Sequence, residues 1–401
     1  MNPLVYVLDD DPVGVALCAR ILRDLGCTVK VPRNADGLLR TMSKQVPDIL
    51  FLDLMMPGVD GLTLCRRIRE DPAFLPVKIV IMSAKKFAAD KASAARVGAD
   101  AYLEKPYGPL QVQGLLDQLV SGRVEVRFWG VRGSIASPGP ANQRYGGNTS
   151  CVTVKLQLDE YVIFDAGTGI RELGNHLLHV GRPLRLHLFI SHPHWDHIQG
   201  LPFFRPGYDE KNQITIYGAD QPDTPLENVI KQQMHSTYFP VPLEAMGAHI
   251  RFRSLQEDCY DLGDIGIQTF YLNHPGTTLG FRLRLRGKEL VYLCDNEITD
   301  DDPHFRKRLV NFVKDTELLI ADAQYTPADF PDKLGWGHSR YTDVVDMALE
   351  ANVRRLALTH HDPDRHDEEL DRILEDCRHT VAARGAKMEC YAAAEGAAVF
   401  L

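Results

Sequence analysis

The stretch Ser191-His192-Pro193-His194-Trp195-Asp196-His197 places three histidines and one aspartate within positions 192–197, directly after the apolar run 184–190. That run reads as a buried strand, so the cluster falls on the turn leaving it. Imidazole and carboxylate are the usual ligands of zinc and related divalent ions. His192 and His194 are two residues apart, so one extended segment aims both side chains the same way. Asp196 and His197 follow the bend, where they could face a second ion. A histidine-rich surface turn is the plain alternative, but four potential ligands seldom crowd so tightly behind a buried strand.

The form H-x-H-x-D-H resembles the metal site of the metallo-β-lactamase-fold hydrolases, whose αββα sandwich usually holds two metal ions at one edge. The resemblance implies more ligands downstream, and candidates stand in family order. They are His274 in LNHPGTTLGFRL, Asp295 after the run 290–294, and His360 after the run 355–359. By resemblance His192, His194 and His274 bind one ion, Asp196, His197 and His360 bind the other, and Asp295 bridges both. The register T-H-x-x-P favours His360 over its neighbour His361. Asp165, at the end of the strand expected over 161–164, would support the ligands from beneath or simply cap the following helix. Zinc is the expected metal, with manganese or iron as alternatives.

Two neighbouring ions activate a water and neutralise charge on reacting oxygens, which suits phosphodiesters, amides, thioesters and lactones alike. The segment Gly335-Trp336-Gly337-His338-Ser339 narrows the choice. It is similar to a G-H-S segment in the family branch that cleaves phosphodiesters, which includes ribonuclease Z. The resemblance implies that His338 faces the scissile phosphate, to stabilise charge or protonate the leaving oxygen, beside Asp196 and Asp295. A histidine held by packing next to Trp336 is the alternative.

Ribonuclease Z adds a basic arm, whereas residues 202–250 contain no Lys/Arg cluster. They read as a strand, a helix and a Pro-rich loop able to roof the pocket, with His235, Tyr238 and Phe239 placed to meet a base or to pack. The net charge of -9 and the lack of a basic run argue against long nucleic acids and anionic membranes as partners. A small phosphodiester such as a 3′,5′-cyclic nucleotide is the expected substrate. Hydrolysis of a thioester, lactone or sulfate ester, and processing of RNA 3′ ends, stay open. So do a dinuclear iron redox protein and a scaffold with a structural site.

In the first 120 residues, short apolar runs at 4–8, 28–31, 49–52, 78–82 and 101–103 alternate with amphipathic stretches such as 13–25, 35–44 and 62–70. Such βα units predict an α/β, doubly wound parallel sheet with its site at the carboxyl ends of the strands. Asp9, Asp10, Asp53, Ser83 and Lys105 all fall at those ends. Clustered carboxylates repel one another unless a hard cation such as Mg²⁺ lies among them.

The segments VLDDDP, LDLMMPGVDG, IMSA and YLEKP resemble a response-regulator receiver domain, over residues 1 to about 122. The resemblance implies that Asp53 accepts a phosphoryl group from a sensor histidine kinase and that Asp9, Asp10 and Asp53 hold Mg²⁺. It implies too that Ser83 and Lys105 contact the phosphate and that the Tyr102 rotamer follows phosphorylation. A flavodoxin-like domain whose acids merely cap helices is the alternative.

The expected organisation is a (βα)5 receiver domain at 1–122 and an αββα metallo-β-lactamase sandwich at 123–401, with SGRV (121–124) as the short join. Regulation would pass through the interface or through a homodimer. The eight cysteines are scattered without a C-x-x-C pair, which fits free thiols in a reducing compartment. The opening MNPLVYVLDD has no signal-peptide character and no run approaches a membrane span, so a cytoplasmic location is expected.

Overall fold

The computed structural model describes residues 3–56, 58–85, 87–120, 124–156, 159–180, 183–263, 265–299 and 301–401. The chain divides into two compact units, Met1–Arg123 and Val124–Leu401. Of the expected join, residues 121–123 lie outside the described residues.

In the first unit, strands β1 (Leu4–Leu8), β2 (Thr28–Lys30), β3 (Ile49–Asp53), β4 (Lys78–Ser83) and β5 (Ala101–Glu104) alternate with five helices. These are α1 (Pro12–Asp24), α2 (Ala35–Met42), α3 (Gly61–Arg69), α4 (Ala88–Arg96) and α5 (Pro109–Val120). The sheet order is β2-β1-β3-β4-β5, with every pair parallel. β1 and β3 are apolar on both faces because helices cover both sides. Tyr6 and Leu8 enter one layer, Val5 and Val7 the other. The strand order reverses between β1 and β3, which opens a crevice beyond their carboxyl ends.

The second unit holds two seven-stranded sheets. The first comprises β6 (Glu125–Gly130), β7 (Cys151–Lys155), β8 (Glu160–Phe164), β9 (Arg185–Phe189), β10 (Gln213–Gly218) and β11 (His249–Ser254). The second comprises β12 (Cys259–Leu262), β13 (Ile265–Tyr271), β14 (Leu279–Leu285), β15 (Lys288–Leu293), β16 (Leu318–Asp322), β17 (Arg355–Thr359) and β18 (Glu389–Ala392). The last strand, β19 (Ala398–Phe400), returns to pair with β6 in the first sheet. The orders are β11-β10-β9-β8-β7-β6-β19 and β12-β13-β14-β15-β16-β17-β18. Helices α6 (Gly169–Leu177), α7 (Trp195–Ile198), α8 (Leu226–Gln233), α9 (Pro303–Val313), α10 (Tyr341–Glu350) and α11 (Asp367–Ala383) complete it.

The period-two alternation of the strands sorts their side chains into three cores. In β8, Val162 and Phe164 meet Phe281 and Tyr292 of the other sheet, while Tyr161 and Ile163 face the layer of α6 and α8. In β16, Leu318 and Ile320 join the central core, and Leu319 and Ala321 meet α9, α10 and α11. The layers are therefore helix, sheet, sheet, helix. Among the described residues no helix is long and apolar enough to cross a membrane.

Strand limits shift slightly from the sequence expectation. The run 290–294 yields a strand ending at Leu293, and Asp196 and His197 lie in the short helix α7 rather than in open turn. Residues 202–250 hold the expected strand and helix as β10 and α8.

Candidate functional sites

Ligand-type side chains of the second unit gather where β8, β9, β15, β16 and β17 end. Asp165, Asp295 and His360 each follow the last residue of a strand or lie one residue beyond it, and each adopts a left-handed backbone, with φ of 60°, 26° and 56°. Such a turn is uncommon for non-glycine residues.

The structure brings all seven expected ligands together in two groups that share Asp295. In one, His192 Nε2 and His274 Nε2 lie 2.9 Å and 3.1 Å from His194 Nδ1, and 3.5 Å and 3.8 Å from Asp295 Oδ2. In the other, His197 Nε2 and His360 Nε2 lie 3.1 Å and 3.0 Å from Asp196 Oδ2, and 3.2 Å and 3.1 Å from Asp295 Oδ1.

Hydrogen bonds behind the rings fix which nitrogen carries the proton. His274 Nδ1 donates to the Gly337 carbonyl at 3.0 Å, and His360 Nδ1 to Gln324 Oε1 at 2.9 Å. His197 Nδ1 donates to Asp165 Oδ2 at 2.9 Å. Ser191 Oγ donates to Asp165 Oδ2 and so accepts from His192 Nδ1 at 3.1 Å. In neutral rings the Nε2 of these four histidines then presents a lone pair toward His194 Nδ1 or toward the Asp196 and Asp295 carboxylates.

Acceptors converging at about 3 Å repel unless a cation sits among them. His197 Nε2 and Asp295 Oδ1 are indeed buried without a hydrogen-bond partner among the described residues. The donor set therefore fits two divalent ions. Without them the charge is unbalanced. Burial works against a charged His197, yet Asp196 and Asp295 raise its pKa well above the usual range. His192, away from that end, is pushed well below by burial. Burial also opposes ionisation of Asp295, but His360 and His197 hold its pKa well below the carboxylate range. Cys294 Sγ reaches the second group as well, and burial raises its thiol pKa well above the usual range.

Asp165 is fully buried and accepts from the Ser191 N–H, Ser191 Oγ, Tyr292 OH and His197 Nδ1 at 2.7–2.9 Å. Ser134 N–H donates to Asp196 Oδ2 at 2.8 Å.

His338 lies beside the ligands, its ring stacked on His360 at 4.9 Å between centroids. Its Nδ1 donates to Asp322 Oδ2 at 2.9 Å, leaving Nε2 for the cleft. Burial alone would lower its pKa, but the Asp322 carboxylate brings it up to about 9. Ser134, Pro193, His194, Trp195, Asp196, Asp295, His338 and His360 line a cleft of about 480 Å³. No residue of 202–250 lines it, contrary to the expected roof. Phe239 instead packs on Phe203, and His235 Nδ1 bonds to Thr237.

Asp322, Gln324, Tyr292 and Glu297 escaped the sequence reading. Only Asp322 left a signal, since it ends the apolar run LLIAD just as Asp165 and Asp295 follow theirs.

In the first unit Asp9, Asp10 and Asp53 offer oxygens close enough to share one cation. Lys105 Nζ bonds Asp9 Oδ2 at 2.7 Å and Asp53 Oδ1 at 2.5 Å. Burial raises the Asp53 pKa despite the pull of Lys105. Ser83 is buried, and its Oγ accepts the Lys85 N–H at 3.1 Å. Tyr102 is half-buried, with its hydroxyl donating to the Lys85 carbonyl at 3.0 Å.

Comparison with known proteins agrees with both halves. A family model described as the response regulator receiver domain matches residues 5–117. Another, described as a beta-lactamase superfamily domain, matches residues 160–361, about half of the chain. The transcriptional regulatory protein BaeR of Escherichia coli is 36% identical over 111 residues, 28% of this chain and 45% of that protein. The DNA-binding transcriptional regulator NtrC of Escherichia coli is 30% identical over 197 residues, 47% of this chain and 40% of that protein. The match thus spans less than half the length of either relative. Among solved structures, the metallo-beta-lactamase fold protein YhfI from Bacillus subtilis aligns with a TM-score of 0.52 at 18% identity. It covers 70% of this chain and 100% of that chain, a likeness of fold.

Proposed function

The chain belongs to the beta-lactamase superfamily and carries a response regulator receiver domain ahead of that unit, and from this premise we propose that it is a response regulator whose output is a dinuclear metal-dependent phosphodiesterase. Its substrates would be small phosphodiesters such as 3′,5′-cyclic nucleotides.

The observation that carries this reading is the pair His338 and Asp322 beside the seven convergent ligands. A non-ligand imidazole, fixed in one orientation by a buried carboxylate, faces the cleft next to the space the ions would fill. His192, His194 and His274 would hold one ion, Asp196, His197 and His360 the other, and Asp295 both. Bound there, zinc, manganese or iron supplies an activated water and neutralises charge on phosphoryl oxygens. Asp165 keeps His197 and, through Ser191, His192 in the tautomers that ligation needs. His338 donates a hydrogen bond to a non-bridging phosphate oxygen or a proton to the leaving oxygen. A phosphodiester offers such a donor an anionic oxygen already in the ground state, whereas a lactone or thioester develops one only in the tetrahedral intermediate.

In the receiver, Asp53 would take a phosphoryl group from a sensor histidine kinase, with Asp9, Asp10 and Asp53 holding Mg²⁺. Lys105 would exchange its bond to Asp53 for one to the phosphoryl oxygen, Ser83 would hold another oxygen, and Tyr102 would repack in response.

The test is turnover of a panel by metal-replete protein: bis-p-nitrophenyl phosphate, 3′,5′- and 2′,3′-cyclic nucleotides, cyclic dinucleotides, a short RNA, a lactone and a thioester. Hydrolysis of a phosphodiester, lost on chelation and in His192→Ala, is expected. Turnover of the lactone or thioester with none of the phosphodiesters would overturn the reading.

A further inference from the structure

Glu297 is a buried carboxylate, 4% exposed, two residues beyond the shared Asp295. It neither reaches the ligands nor lines the cleft. Its oxygens instead accept the backbone N–H of Gly335 at 2.9 Å and 3.0 Å and that of Gly337 at 2.9 Å. Gly335 and Gly337 have φ of 83° and 86°, so the turn between them points both N–H groups at one anion.

The main chain of Glu297 grips a different loop. Its N–H donates to the Asn273 carbonyl at 2.8 Å, and its carbonyl accepts from Asn273 Nδ2 at 2.9 Å. Asn273 precedes His274, whose Nδ1 donates to the Gly337 carbonyl. The bonds close a ring: Glu297 to the 335–337 turn, the turn to His274, and His274 through Asn273 back to Glu297. Ser339 adds a strut, its Oγ donating to the Asn296 carbonyl and accepting the Ile298 N–H at 3.1 Å.

We propose that Glu297 is a positioning residue, which sets the angle of the ligand His274 and the placement of His338 by holding the Gly335-Trp336-Gly337 turn. The turn lies between the two histidines, so one carboxylate tunes both the metal end and the phosphate-facing end of the cleft. Oε2 accepts both N–H groups and Oε1 shares that of Gly335, so a glutamine keeps its oxygen in the Oε2 place only by turning its N–H₂ toward the Gly335 donor, and it loses the negative charge that both donors face. The kinetic part of this inference rests on the phosphodiesterase reading; the metal-binding part does not.

The experiment compares full-length wild type, Glu297→Gln and Glu297→Asp loaded with cobalt(II). Three quantities are read: the visible ligand-field spectrum during titration, kcat and KM on bis-p-nitrophenyl phosphate, and thermal unfolding of the metal-free proteins. In Glu297→Gln one cobalt ion is expected to bind about 10–100-fold more weakly with an altered spectrum, and kcat to fall by a similar factor while KM holds. Glu297→Asp, which keeps the charge, is expected to recover part of both. It also carries the comparison if Glu297→Gln does not fold. Wild-type cobalt binding, spectrum and kcat in these variants would overturn the proposal, as would a lowered unfolding temperature with an unchanged spectrum. If wild type binds cobalt yet cleaves no phosphodiester, the phosphodiesterase reading falls and the spectra alone decide the role of Glu297.

Discussion

Gly337 gives its carbonyl oxygen to His274 Nδ1 at 3.0 Å, and a Cβ on Gly337 would lie 2.0 Å from that same nitrogen. The close approach that orients the ring is thus available only to glycine, and the φ of 86° adds a penalty of roughly 1–2 kcal/mol for any other residue. Gly337→Ala is expected to displace His274 and weaken the ion it helps to hold by at least about 10-fold. Metal content after equilibrium dialysis measures this, and wild-type content would contradict it.

Asp322→Asn keeps the shape of the partner of His338 but removes its charge and its obligatory acceptor role. The ring can then turn its other nitrogen inward. A fall in kcat of roughly 10²–10⁴-fold is expected on the best phosphodiester, with metal content retained. His338→Ala should cost about as much, and the double variant little more, because the two act as one unit. Additive losses would separate them.

What the sequence disclosed and what it hid divide along a physical line. The cluster at 192–197 was legible because three histidines and an aspartate crowd at the exit of an apolar run, and His274, Asp295 and His360 because the family resemblance implies ligands further along. Asp9, Asp53, Ser83 and Lys105 were legible because they fall at the strand ends of the parallel sheet. Tyr292 and Glu297 were not. Tyr292 sits inside a strand as a core aromatic and shows its role only where its hydroxyl meets Asp165 across the two sheets. Glu297 acts through backbone groups some forty positions away, a relation no local pattern encodes. The 202–250 segment misled because its prolines and aromatics suit a roof as well as a wall.

Lys105 bonds both Asp9 and Asp53, so the pocket of the first unit is held by the cation that a phosphoryl group would recruit. With acetyl phosphate and Mg²⁺, turnover by the wild-type protein is expected to change. Asp53→Asn lacks the nucleophilic carboxylate and should not respond. An equal response in the variant would remove Asp53 from the regulatory step.

Removing the ions leaves lone pairs and carboxylates of the two ligand groups facing one another across about 3 Å. Ions that bind the folded ligand set in preference to the unfolded chain add to stability, so chelation is expected to lower it. At a free ion concentration of 100 times Kd the shift is about 2.7 kcal/mol per site. Chelation should lower Tm, and added zinc or manganese should restore it. An unchanged Tm would mean that the groups hold no ion.

Arg132 is the largest fully buried side chain among the described residues, and its guanidinium donates to the carbonyls of Gly146, Asp362 and Arg365 at 2.8, 3.0 and 2.6 Å. Two of these acceptors lie just beyond His360, and Gly133, next to Arg132, packs so closely that a Cβ would meet His360 Nδ1 at 2.3 Å. One cation therefore ties the loop carrying a ligand to the loop packed behind it. Arg132→Met keeps much of the volume but leaves the Gly146 and Arg365 carbonyls without their donor, each costing about 1–3 kcal/mol, while the Asp362 carbonyl keeps the Arg365 N–H. A loss of at least about 2 kcal/mol in urea unfolding is expected. Arg132→Lys should recover less than half of it, since one ammonium cannot span acceptors arranged for a planar fork. A methionine variant as stable as wild type would show that water replaces the guanidinium, and the loops would then need another tie.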